Sequence, residues 1–160
     1  MKPRTALAVL ALPLLVVAPR AASAATLTPC ALLTPADVAH LTGWEVTASH
    51  KRRYSIHGAS GNMCSLEAAQ GIVLVMVPDF GSPYPGDAAL AASGGNEFAT
   101  HEHEFGIEVT TVHGTSYFSV GDQDVAVRLV PTDHDPSNAE VQPFAHAVLA
   151  RLRAKSHKPG

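Results

Sequence analysis

The spacing of apolar residues changes period along the chain, and each change predicts a different element. Val141, Phe144, Ala145, Val148, Leu149 and Leu152 recur at helical spacing, and Arg151, Arg153 and Lys155 stand where cations favour a helix C-terminus. This predicts a C-terminal amphipathic helix. Residues 107–113, 117–120 and 125–130 read instead as strands, with Gly114 and Gly121-Asp122 as turns between them, which predicts an antiparallel meander. Upstream, residues 44–47, 54–57, 63–68 and 72–77 are also strand-like, divided by a turn over residues 58–62 and by Gly71. The stretch 72–77 is apolar at every position, as in a central strand covered on both faces.

A short helix is predicted to start at Thr34-Pro35-Ala36-Asp37, where Thr34 can N-cap, Pro35 suits the first turn and Asp37 meets the helix dipole. Leu33 and Val38 are spaced as a hydrophobic staple, and Gly43 supplies a left-handed C-cap after Thr42. So short a helix needs Val38 and Leu41 packed against something else. Residues 78–106 open with the irregular Asp79-Phe80-Gly81-Ser82-Pro83-Tyr84-Pro85-Gly86. Asp87 can cap a helix over residues 88–92, and Asn96 a second one reaching Phe105, with Phe98 and Phe105 on its buried face. The whole is an α+β fold: an antiparallel sheet of about five to seven strands packed by a short N-terminal helix and a C-terminal amphipathic helix.

The first 24 residues have a different character. Lys2 and Arg4 precede an apolar run over residues 6–18 broken only by Pro13, and Ala22-Ser23-Ala24 offers a peptidase small residues. This predicts a signal peptide over 1–24 cleaved near Ala24, a single domain over 25–155 and a flexible tail at 156–160. The run falls short of the about 20 apolar residues that span a bilayer, so no transmembrane segment is expected in the mature chain. The first Cys is Cys30, too far on to be an acylated lipoprotein residue. The predicted location is periplasmic or secreted.

Composition then narrows the function classes. At 160 residues with 16% charged side chains, 12 Gly and 12 Pro, the chain is neither a repeat fibre nor a charged disordered tail. Processing would remove three of its 11 cationic residues and none of its 14 acidic ones, taking the formal charge from −3 to −6. An acidic protein whose one basic run is Lys51-Arg52-Arg53 is not expected to bind nucleic acid. That run reads as a solvated strand end or turn. Two cysteines in an exported chain, Cys30 and Cys64, pair as a disulfide; no Cys-x-x-Cys motif suggests redox chemistry.

The segment Pro29-Cys30-Ala31-Leu32-Leu33-Thr34-Pro35-Ala36-Asp37-Val38, followed by Cys64 in a strand, resembles small exported bacterial proteins and lipoproteins of domain-of-unknown-function families that carry a Cys-x-Leu-Leu-Thr helix. The likeness extends loosely through Ser116-Tyr117-Phe118 to the end of the last helix. It implies an extracytoplasmic α+β sandwich, somewhat like PsbP-like folds, held by a Cys30–Cys64 bridge. It implies no catalytic residues.

Nine histidines are the main invitation to chemistry, densest in His101-Glu102-His103-Glu104. On a strand, His101 and His103 share a face and can ligate one zinc or copper ion; on a helix they point about 200° apart. Helix or irregular structure is expected here, which favours a solvated face. A complete site would need a third or fourth ligand from His113, His134 or Asp133. The stretch from Asp133 to Asn138 is not a calcium loop, because Asn138 and Phe144 occupy the Gly and Glu positions. Gly-x-Ser-x-Gly is absent, which leaves a dispersed Ser/His/acid triad as the one route to an unrecognised hydrolase. The leading expectation is a non-enzymatic binding module for a protein or small molecule, needing no cofactor, with Phe80, Tyr84 and Trp44 as contact candidates from the loop region and its rim. Transition-metal binding by His101, His103 and His113 is the alternative.

Overall fold

The computed structural model describes residues 27–56, 58–79, 81–82 and 99–156. A 3₁₀ turn at Pro29–Ala31 leads into α1 (Pro35–Thr42). The strands β1 (Val46–Ile56), β2 (Ala59–Ala68), β3 (Gly71–Pro78), β4 (Thr100–Glu104), β5 (Ile107–Val112), β6 (Thr115–Val120) and β7 (Gln123–Pro131) follow, and α2 (Asn138–Ser156) closes the chain. Among the described residues the seven strands form one antiparallel sheet in the order β1-β2-β3-β7-β6-β5-β4. Two meanders are therefore joined side by side through the β3–β7 ladder. The architecture is the α+β arrangement expected from the patterning.

Register sets the core. Cys64 opposes Val75 and Leu66 opposes Val73; Val75 and Val73 in turn oppose Val127 and Leu129, so these side chains share one face. On that face lie Val141, Phe144, Ala145, Val148, Leu149 and Leu152 of α2, all buried in one cluster with Val109, Phe118 and Val125. Every apolar position assigned to the terminal helix is in the core. At the other end Leu32, Leu33 and Val38 seal the cluster. On the opposite face a smaller cluster joins Val112, Tyr117 and Ala126, with Met76 and Ala99 against it.

Helix α1 forms through the capping box read from the sequence. The Thr34 side chain accepts from the Asp37 amide, the Asp37 carboxylate accepts from the Thr34 amide at 2.7 Å, and Gly43 takes φ 74 at the C-cap. Asp37 also receives a two-pronged hydrogen bond from Arg151 of α2, at 2.7 and 3.0 Å, and Arg151 donates to the Leu32 carbonyl as well. Burial raises the Asp37 pKa, but the hydrogen bonds from Arg151 and Thr34 outweigh it and hold the carboxyl below its ordinary value. The Cys30–Cys64 disulfide, with Cα atoms 5.0 Å apart, ties the 3₁₀ turn to β2. No helix among the described residues is long and apolar enough to cross a membrane.

Several expectations need correction. The turn predicted over 58–62 contracts to the Gly58 region, where φ is 82, and Ala59 onward already pairs with β1. Gly61 is a strand residue paired with Tyr54 and Pro78, and the position takes glycine because a Cβ there would collide with the Val77 carbonyl, the Pro78 backbone and the Tyr54 ring. Lys51-Arg52-Arg53 is not a strand end; it lies inside the 11-residue edge strand β1, where charge discourages pairing with another chain. The central strand β3 alternates: Val73, Val75 and Val77 are buried, while Ile72, Leu74 and Met76 are half-buried. Leu41 is 36% exposed, so Val38 alone carries the inward face of α1. Phe105 is 51% exposed in the β4–β5 turn, its ring under the Arg153 guanidinium at 5.1 Å. The helix proposed for 88–92 lies outside the described residues.

Candidate functional site

The His-Glu-His-Glu segment is a strand, against the expectation of helix or irregular structure. Phe105 and Gly106 both adopt positive φ, 53 and 76, the signature of a two-residue hairpin turn, and that turn folds residues 100–104 onto β5. Consequently His101 and His103 point to the same face, opposite Thr110 and Glu108. Glu102 points the other way and pairs with His146 of α2 at 2.7 Å. Nδ1 of His101 lies 3.1 Å from Glu108 and 3.2 Å from the Thr110 hydroxyl. His113 stands beyond the far end of β5, in the next turn. Among the described residues no group of three or more His, Cys, Asp or Glu side chains converges in metal-binding geometry. Phe80 and Tyr84 lie outside the described residues; Trp44 is partly buried against the core, its ring over Gly71.

A different place is concave. The β5–β6 turn, the end of β7 and the connection into α2 enclose a cavity of about 330 Å³ lined by His113, Arg128, Leu129, Val130, Pro131, His134, Asp135 and Pro136. Local chemistry builds its walls. His113 and Gly114 take φ 46 and 69, giving a tight turn whose Gly114 carbonyl accepts from the Leu129 amide at 3.0 Å. Pro136 is packed directly on Gly114, where any Cβ would collide with its ring. On the other side, the Thr132 amide and hydroxyl both donate to the Gln70 carbonyl, which anchors the connection to the β2–β3 turn. The rim is thus held from two directions.

His134 sits in this wall between two carboxylates, with Nδ1 2.6 Å from Asp133 and Nε2 2.8 Å from Glu140. The second Glu140 oxygen accepts from the Ser137 amide at 2.8 Å and the Ser137 hydroxyl at 2.7 Å, which closes the N-terminus of α2. The Ser137 bonds, followed by the His134 contact, lower the Glu140 pKa to about 2; the bonds to Glu140 and Asp133 raise that of His134. Both imidazole nitrogens face a carboxylate, an arrangement that favours the protonated ring, and two carboxylates flanking one imidazole leave the group net negative in either state of the ring. The Ser137 hydroxyl donates to the carboxylate instead of to the ring. Ser137, His134 and Asp133 are therefore neighbours without being a nucleophile and its base, and neither ring nitrogen is free for a metal.

Comparison with known protein families, characterised proteins and solved structures finds no match. The functional reading therefore rests on the geometry of the cleft. Sequence reasoning missed it because its residues come from two turns and a strand end that only the fold brings together. One signal was present: Arg128 interrupts the apolar run from Val125 to Val130, a charge on a strand otherwise built for the interior.

Proposed function

We propose that this protein is an exported binding module, stapled by its disulfide, that takes a small ligand in the cleft between the β5–β6 turn and the β7–α2 connection. The single observation that carries this reading is the cavity of about 330 Å³, a volume in the range of small-molecule sites, whose lining mixes the polar side chains of His113, Arg128, His134 and Asp135 with aliphatic and proline surface. Its rim is fixed by backbone hydrogen bonds and proline packing, so a ligand meets a preformed surface. The Cys30–Cys64 bridge supports an oxidising compartment. The same reading sets the chain beside the small exported proteins that its N-terminal helix resembles.

The test is a fragment screen by amide chemical shift. Saturable shifts concentrated at residues 113–114 and 128–136 are expected for at least one small molecule. A screen that perturbs only other regions would overturn the assignment of this cleft. One observation favours a transition metal instead: His101 and His103 share a face of β4. That reading requires His101→Ala and His103→Ala to abolish zinc or copper binding measured by titration calorimetry.

A further inference from the structure

The cleft carries two opposite charges that do not neutralise each other. Arg128 and Asp135 both line it and both are exposed, yet neither forms an ion pair with any side chain among the described residues. Every other acidic group at the rim is committed: Asp133 and Glu140 are bound to His134, and Glu140 also to Ser137. Because two carboxylates flank the single imidazole of His134, the rim is net negative beside Arg128, and a dianion such as a phosphate monoester would meet one cation among an excess of negative charge. A single guanidinium matches one carboxylate in two-pronged fashion, and Asp135 is left to receive a cation. Val130, Pro131 and Pro136 contribute apolar surface to the same cleft.

We propose that the ligand is a small zwitterion, an α-amino acid with an apolar side chain, whose carboxylate is held by Arg128 and whose ammonium is held by Asp135. The proposal rests on the reading of this cleft as the binding site and specifies the ligand class for it. Two opposite charges line one concavity without an ion pair to each other or to any other side chain among the described residues. Each gains a partner only when a molecule of the right length carries both complementary charges.

The test uses the oxidised protein and four probes in amide-shift titration: L-leucine, L-leucinamide, 4-methylpentanoate and 3-methylbutan-1-ol. Leucine is expected to shift residues 113–114 and 128–136 and to bind at least about fivefold more tightly than either singly charged analogue, since each charged hydrogen bond is individually modest at an exposed site. Arg128→Gln should weaken leucine about fivefold or more and leave leucinamide unchanged; Asp135→Asn should weaken leucine similarly and leave 4-methylpentanoate unchanged or tighter. Both positions are exposed, and unchanged thermal midpoints will confirm that the variants fold. Equal affinity for leucine and the alcohol, or tighter binding of a singly charged analogue, would overturn the zwitterion while leaving a binding cleft. Silence at residues 113–114 and 128–136 with every probe overturns the amino-acid class, and a fragment screen that is also silent there overturns the cleft itself.

Discussion

Removing the Cys30–Cys64 crosslink tests the link between sequence separation and stability most directly. The cysteines are 34 residues apart and join the 3₁₀ turn to β2. In the chain-entropy description, releasing a loop of that length returns about 4 kcal/mol of conformational freedom to the unfolded chain at 25 °C. Cys64 is fully buried among Leu66, Val75 and Leu33, so Cys30→Ala/Cys64→Ala also loses sulfur packing, about 1 kcal/mol more. For a domain of this size the sum of about 5 kcal/mol lowers the thermal midpoint by roughly 15–20 °C. Reduction with a phosphine keeps both sulfurs and should show only the crosslink's share. Urea unfolding of the oxidised, reduced and double-alanine proteins, followed by circular dichroism, separates the two contributions. A reduced protein within about 1 kcal/mol of the oxidised one would refute the loop-closure reasoning, and a double-alanine variant more stable than the reduced protein would refute the packing estimate.

Three further outcomes are expected. Asp37→Ala removes a capping carboxylate and leaves a two-thirds-buried Arg151 unpaired, so it should cost about 2–3 kcal/mol in urea unfolding. Because the folded-state pKa of Asp37 is lowered, its contribution is complete above the ordinary value of 3.8 and fades as pH falls through the lower one; Asp37→Asn should flatten the stability profile in that acid window. At the α2 N-terminus the two partners act in opposite directions: Glu140, held at about 2, stabilises at higher pH and is lost towards that value, whereas the raised His134 stabilises at low pH and is lost as pH rises through its folded value. Glu140→Gln should therefore lower the His134 pKa read by imidazole proton shifts, and an unchanged titration would contradict the assigned pairing. Gly61→Ala places a Cβ against the Val77 carbonyl and the Tyr54 ring, so it should destabilise by about 2 kcal/mol or more, whereas Gly58→Ala meets no neighbour and pays only for its positive φ, about 1 kcal/mol.

The local elements were legible from residues close in sequence. The Thr34–Asp37 capping box, the Gly43 C-cap and the six apolar positions of α2 were set by interactions spanning one helical turn, and for these the near neighbours dominate the free energy. The disulfide was equally readable, since two cysteines admit one pairing. Tertiary contacts decided the rest. His101-Glu102-His103-Glu104 has no strong local preference, and it became a strand because the Phe105-Gly106 turn folded it onto β5. The β5–β6 turn, the end of β7 and the connection into α2 share a cleft because β6 pairs with β7 and Pro136 packs on Gly114. Neighbour-to-neighbour chemistry can specify a cap or a helical face, but the meeting of the β5–β6 turn with the β7–α2 connection depends on strand pairing, and the pairing is chosen by burial of the whole apolar set at once.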